Sequence, residues 1–255
     1  MENRRYYLNL FDKPPDGPGW IISEPTDDIY DAEELALRVT HPGRRSQAQR
    51  RKDQEQWMSV LPRLTKLKEL SLYARPTQEL FDVVCSLSNL HRLDIYQADF
   101  SDFSGITALA GLRRFGLHAC RGNTDLSALA DLPGLQLLEI DACYGQTDFD
   151  VLGELKGLRG VQLKGHILGD RNLRLPSLKP LERLEDLRHL DLMTASVADR
   201  SWESLLAFRN LERLDMTLYN TRIRERIIAE LPNLKAGFLV DWDHKKKMFY
   251  GGREW

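Results

Sequence analysis

The chain predicts an α/β solenoid, a horseshoe with a parallel sheet on its concave side and short helices or 3-10 turns on its convex side. Three observations carry this. Apolar pairs separated by one residue recur as Leu70/Leu72, Leu93/Ile95, Phe115/Leu117, Leu138/Ile140, Val161/Leu163, Leu190/Leu192 and Leu214/Met216, with a weaker copy at Gly237/Leu239. Their first members fall 23, 22, 23, 23, 29, 24 and 23 residues apart. Further apolar columns stand nine, six and three residues before the pairs, as in Leu61, Leu64, Leu67 and again in Ile106, Leu109, Leu112. A repeat of this size cannot bury its own leucines, so neighbours must stack.

Taken in order, residues 1–60 read as an N-terminal cap with a degenerate first repeat. Tyr6–Phe11 alternates like a strand. Residues 14–19 form a turn-rich connector, and Trp20–Ser23 is a second strand candidate. Leu35, Leu37 and Val39 alternate as the strand of the degenerate repeat. The run His41–Lys52 carries Arg44, Arg45, Arg50, Arg51 and Lys52 and reads as a solvated loop. It lacks the aromatic partners that nucleic-acid stacking needs, so nucleic acid is disfavoured as a partner. Gln54–Val60 then reads as a helix.

Residues 61–240 hold the repeats. Thr77–Leu87, Ser201–Phe208 and Arg222–Leu231 are long enough for helical turns. Ser104–Ala110, Asp125–Ala130 and Asp148–Gly153 suit shorter 3-10 or α turns. The last helical columns include Ile228, Leu231 and Leu234. The 29-residue interval holds an insertion, residues 169–180, read as a loop at one edge. Residues 241–255 read as a C-terminal cap whose aromatics close the last repeat.

The stretch Leu132–Cys143, L-P-G-L-Q-L-L-E-I-D-A-C, follows the pattern L-x-x-L-x-x-L-x-L-x-x-N/C. On these residues the chain resembles leucine-rich repeat proteins, with short bacterial-type repeats of about 22–24 residues. The segment D-L-S-A-L-A is similar to those of the internalins. The resemblance covers roughly residues 61–240 and does not extend to the secretion signal or wall anchor of those proteins.

Composition is ordinary for a soluble protein, with 42% hydrophobic and 29% charged residues, and the net charge of -2 exerts no general pull on nucleic acid or anionic membrane. No apolar run approaches the roughly 20 residues of a membrane helix, so no membrane partner is expected. Asp12 and Lys13 interrupt the first apolar stretch, which argues against a secretory signal; cytoplasmic location is the default expectation. The three cysteines, Cys85, Cys120 and Cys143, are too few and odd in number for a disulfide framework. Cys120 and Cys143 share a repeat position and are expected as inward thiols.

Side chains alternate along a strand, so the residue between each apolar pair and its flanks point out of the core. This nominates a partner-binding surface on the concave face. Tyr73, Tyr96 and His118 make an aromatic ladder. Asp94, Glu139, Asp141, Asp191 and Asp215 make the centre acidic. Arg92, Arg114 and Arg213 line one edge, and Lys164 and Met193 complete the set. Tyrosine suits binding hot spots, and acid would favour a partner with a basic surface. Motifs for phosphate binding, serine hydrolysis and zinc hydrolysis are missing from the sequence. Catalysis by His118, Asp141 and Cys120 is disfavoured because Cys120 turns inward. Metal binding by His118, Glu139 and Asp141 is disfavoured because it lacks closed geometry. The expected function is therefore a non-enzymatic protein-protein interaction module without cofactors. Two sharper versions are an immunity protein neutralising a bacterial toxin and an adaptor or substrate-recognition subunit of a larger complex.

Overall fold

The computed structural model describes residues 22, 25, 27–40, 46–98, 100–166, 169–218 and 220–241. The expected strand at 6–11, the connector at 14–19 and the aromatic cap at 242–255 lie outside these residues.

Every apolar pair from Leu70 to Met216 has at least its first member in a strand, and Leu192 and Met216 fall just past the ends of theirs. The strands are β1 (Glu34–Arg38), β2 (Glu69–Tyr73), β3 (Arg92–Tyr96), β4 (Arg114–His118), β5 (Leu137–Asp141), β6 (Gly160–Lys164), β7 (Leu173–Leu175), β8 (His189–Asp191), β9 (Ala195–Val197) and β10 (Arg213–Asp215). An eight-stranded sheet runs in the order β1-β2-β3-β4-β5-β6-β8-β10, all parallel. Its register aligns Leu35, Leu70, Leu93, Phe115, Leu138, Val161, Leu190 and Leu214 in one row. That row is buried from end to end. Each such side chain stabilises the fold by roughly 1.5–3 kcal/mol. Ile22 adds a parallel bridge beside Leu37.

The connections cross the convex side. Three are α-helices: α1 (Gln47–Val60), α2 (Gln78–Val84) and α3 (Thr221–Glu230). The others are 3-10 turns at Leu61–Arg63, Ser104–Ala108, Ser127–Asp131, Asp150–Glu154, Lys179–Arg183 and Trp202–Ala207. A side-chain acceptor opens most of these turns. Asp102, Asp125, Asp148, Ser177 and Asp199 accept the N–H two residues on at 2.9–3.0 Å. Such local bonds suit tight turns better than helix interiors.

Four expectations are corrected. The basic run is helical from Gln47, because Ser46 and Gln49 close a capping box on α1. Buried Gln54 on that helix ties down the next loop, donating to Arg75 O at 3.0 Å and accepting from Thr77 N at 2.9 Å. The insertion is not a loop. Its β7 pairs with β9 in a second, two-stranded parallel sheet, and Leu173, Leu175 and Leu178 are buried. Ile228 is exposed and Ile227 takes the core position, because α3 has helical rather than 3-10 periodicity. The Gly237/Leu239 copy forms no strand. Only Ala236 bridges Arg213, and Gly237 turns away at φ 111°, where a Cβ would stand 2.2 Å from Leu214 O.

The cysteines are free and buried, and Cys120 and Cys143 turn inward as their shared repeat position predicts. No helix among the described residues is long and apolar enough to cross a membrane.

Candidate functional site

Alternation does put the nominated residues on the concave face, but that face is crowded. Arg92, Asp94, Arg114, His118, Glu139 and Asp215 are buried, and Asp94 is only 1% exposed. Tyr73, Tyr96, Asp141, Lys164, Asp191, Met193 and Arg213 are half-buried. The inward curve of the sheet drives neighbouring side chains together, and opposite charges meet.

The first cluster spans β2 to β5. Arg92 Nε donates to Asp94 Oδ2 at 2.7 Å, and its Nη1 stands 3.5 Å from Glu69 Oε2. Ser71 Oγ donates to the same Asp94 oxygen at 3.4 Å. His118 Nε2 lies 3.6 Å from Asp94 Oδ1, and its Nδ1 lies 4.0 Å from Asp141 Oδ2. Arg114 donates to Glu139. Gly116 makes the centre possible, since a Cβ there would meet Asp94 Oδ1 at 2.4 Å and His118 Nε2 at 2.6 Å.

These pairings set the protonation states. Burial opposes charge on His118, but Asp141 and Asp94 outweigh it and raise its pKa to about 9. Burial likewise opposes charge on Asp94, yet His118 and Arg92 hold it at about 2. For Glu139 the balance reverses: burial raises its pKa despite Arg114.

Along the edge of this cluster Tyr73, Tyr96 and His118 stack. The first two rings are 4.1 Å apart at 17°, and Tyr96 and His118 are 4.2 Å apart at 13°. The faces of Tyr96 are therefore used inside the stack, and a partner meets edges and hydroxyls. Burial and nearby Asp94 keep the Tyr96 hydroxyl protonated.

The second cluster spans β6 to β10. Gln162 Nε2 donates to Asp191 Oδ2 at 2.7 Å, Met193 N donates to Asp191 Oδ1 at 2.9 Å, and Lys164 Nζ stands 4.0 Å from Asp191 Oδ2. Burial still raises the Asp191 pKa. Asp215 is bound by Arg213 Nε, by the N–H of Phe238 at 2.8 Å, and lies 3.4 Å from His189 Nε2. Burial opposes its charge, but His189 and Arg213 depress its pKa. The nominated residues thus fall into two groups, with Asp141 and Lys164 in register at the border.

Glu69, Ser71, Gln162 and His189 also belong to the face. They occupy the same outward columns, so alternation signals them too. Chemically, the face is a floor of charges already matched to one another, with a half-exposed rim. Among the described residues no group of three or more histidines, cysteines or acids is arranged to hold a metal ion.

No protein-family model matches the chain, and no curated protein matches it. Solved structures do. An internalin of Listeria monocytogenes aligns at TM-score 0.53 and 20% identity, over 69% of this chain and 49% of that one. A leucine-rich-repeat protein of Leptospira interrogans aligns at TM-score 0.54 and 18% identity, over 82% of this chain and 55% of that one. The chain therefore spans about half the length of the structures it matches.

Proposed function

We infer that this leucine-rich-repeat solenoid is a non-enzymatic protein-binding module whose partner seats on the concave face. The observation that carries this reading is the Tyr73–Tyr96–His118 stack, rigid and half-exposed along its tyrosines, beside a floor of prepaired charges. A partner meeting this surface gains aromatic area at little entropic cost, because the rings are already fixed. The solenoid holds that rim on a sheet, which keeps its geometry through binding.

The partner chemistry that fits is mixed. Asp94, Glu139 and Asp215 are each matched by an arginine within the face. Asp141 and Asp191 remain as half-buried acids toward a partner's basic groups, with Lys164 between them. Toxin neutralisation and an adaptor role in a larger complex would both use this surface, and we place either in the cytoplasm.

Site-specific photocrosslinking tests the reading. A benzophenone side chain at Tyr73 or Met193 should crosslink a protein in lysate of the source organism, and the same group at convex Asp131 or Glu154 should not. A single small product would favour the neutralising version, and several subunits the adaptor. Equal crosslinking from both sides would sink the concave-face assignment.

A further inference from the structure

A second surface runs along the edge where the chain enters the strands of the main sheet. The residue just before each strand lies on it: Lys68, His91, Arg113, Gln136, Arg159 and Arg188, with Glu33 before and Glu212 after. These residues are joined by their own backbone ladder. Lys68 N donates to Glu33 O at 2.7 Å, His91 N to Lys68 O at 2.7 Å, and Arg113 N to His91 O at 2.8 Å. Gln136 N then donates to Arg113 O at 2.9 Å, Arg159 N to Gln136 O at 2.8 Å, and Arg188 N to Arg159 O at 2.8 Å. Six donor-bearing side chains with no acid among them are thereby fixed one strand spacing apart.

The ends of this row are neutralised and its middle is not. Lys68 pairs with Glu33 at 2.9 Å, and Arg188 meets Glu212 at 3.8 Å. His91, Arg113 and Arg159 are exposed, and among the described residues no ion pair reaches them. Lys156, three residues before Arg159 in the chain, is exposed as well, with its ammonium on the carbonyl of Gly153 at 2.7 Å. This contrasts with the concave face, where opposite charges are matched. The turns between these side chains are low, with Ala110, Gly111, Pro133, Gly134 and Gly157 leaving the edge open.

We propose that this edge docks an extended acidic segment of a partner protein, its Asp and Glu carboxylates meeting His91, Arg113, Lys156 and Arg159. Arg113 and Arg159 stand two strand spacings apart with no acid paired to them among the described residues, and a carboxylate-bearing strand would match them. From His91 to Arg159 the row covers three strand spacings, roughly 14 Å. That span matches a few residues of extended peptide. It reaches only a few phosphates of a nucleic acid, and His91 is the row's one aromatic side chain, too few for a run of stacked bases. The proposal does not depend on the concave face.

The test uses the full chain and a fluorescein-labelled peptide of twelve glutamates, read by polarisation at low salt. Binding should weaken at least tenfold in R113E/R159E and stay within twofold in the concave variant Y73A. Melting curves by circular dichroism should be unchanged in R113E/R159E, since both arginines are exposed. Equal binding by R113E/R159E, or none by the parent chain, would overturn the proposal. Tighter binding of a twelve-nucleotide thymidine strand than of the peptide would overturn it in favour of nucleic acid. Salt-sensitive self-association that R113E/R159E abolishes would overturn it in favour of a second copy of the chain.

Discussion

His118 is the residue on which the concave face converges. It stacks on Tyr96, faces Asp94 and Asp141, and stands over Gly116. Its folded pKa of about 9 lies above the 6.5 of an ordinary imidazole. Its contribution to stability is therefore fully present below about pH 6.5 and is lost as pH rises through about 9. The difference corresponds to up to roughly 3 kcal/mol. Asp94 acts in the opposite direction: its contribution is present above about pH 3.8 and is lost as pH falls through about 2. Melting temperature should decline between pH 6.5 and 9.5 in the parent chain, and His118→Gln should be less stable at pH 6 with a flatter decline. Parallel profiles for the two proteins would show that the imidazole carries no such charge. That His118 points outward was legible in alternation. Its place beside Asp141 on the next strand was legible too. That it is buried and also faces Asp94 was not, because this depends on how the side chains pack across the register.

At the scale of elements, the strands were legible because stacking demands a constant interval and the leucines keep it. The insertion escaped for the same reason. Leu173-Arg174-Leu175 is itself an apolar pair about one residue, but β7 lies outside the main sheet, so the main interval does not apply to it. Its leucines fill the core, so Leu175→Ala should cost about 2–5 kcal/mol in urea unfolding. The exposed Arg174→Ala should stay within about 0.5 kcal/mol. A similarly small loss for Leu175→Ala would mean that the insertion is a detachable loop after all. The start of α1 was also written in the chain, as S-x-x-Q at Ser46–Gln49, but the basic composition of the run pointed to solvated loop. Ile228 misled because the length of a connection, and so its helical period, decides which side chain turns inward.

The described residues stack around one continuous core, and the thiols report on how tightly it is closed. Burial pushes the Cys85 thiol up to about 12, and donating its S–H to Cys120, together with burial, raises Cys143. The same Cys120–Cys143 contact, against burial, holds the Cys120 pKa below its ordinary value. Exchange with the thiolate-directed reagent iodoacetamide at pH 7.5 should leave the folded chain unmodified by mass spectrometry, and denaturant should release all three cysteines together. Labelling of Cys120 alone in the folded state would reveal local opening between β4 and β5. Gly116 carries a last consequence for the array as a whole. Repeats are commonly treated as interchangeable units, and duplication is the simplest way for such a chain to lengthen. Copying β3 or β4 singly would not reproduce this contact, because the glycine of one repeat is the vacancy that the aspartate of the preceding repeat and the histidine beside it share. Lengthening that keeps this contact moves the β3 and β4 repeats as a block, so this part of the horseshoe behaves as one composite unit within a modular chain.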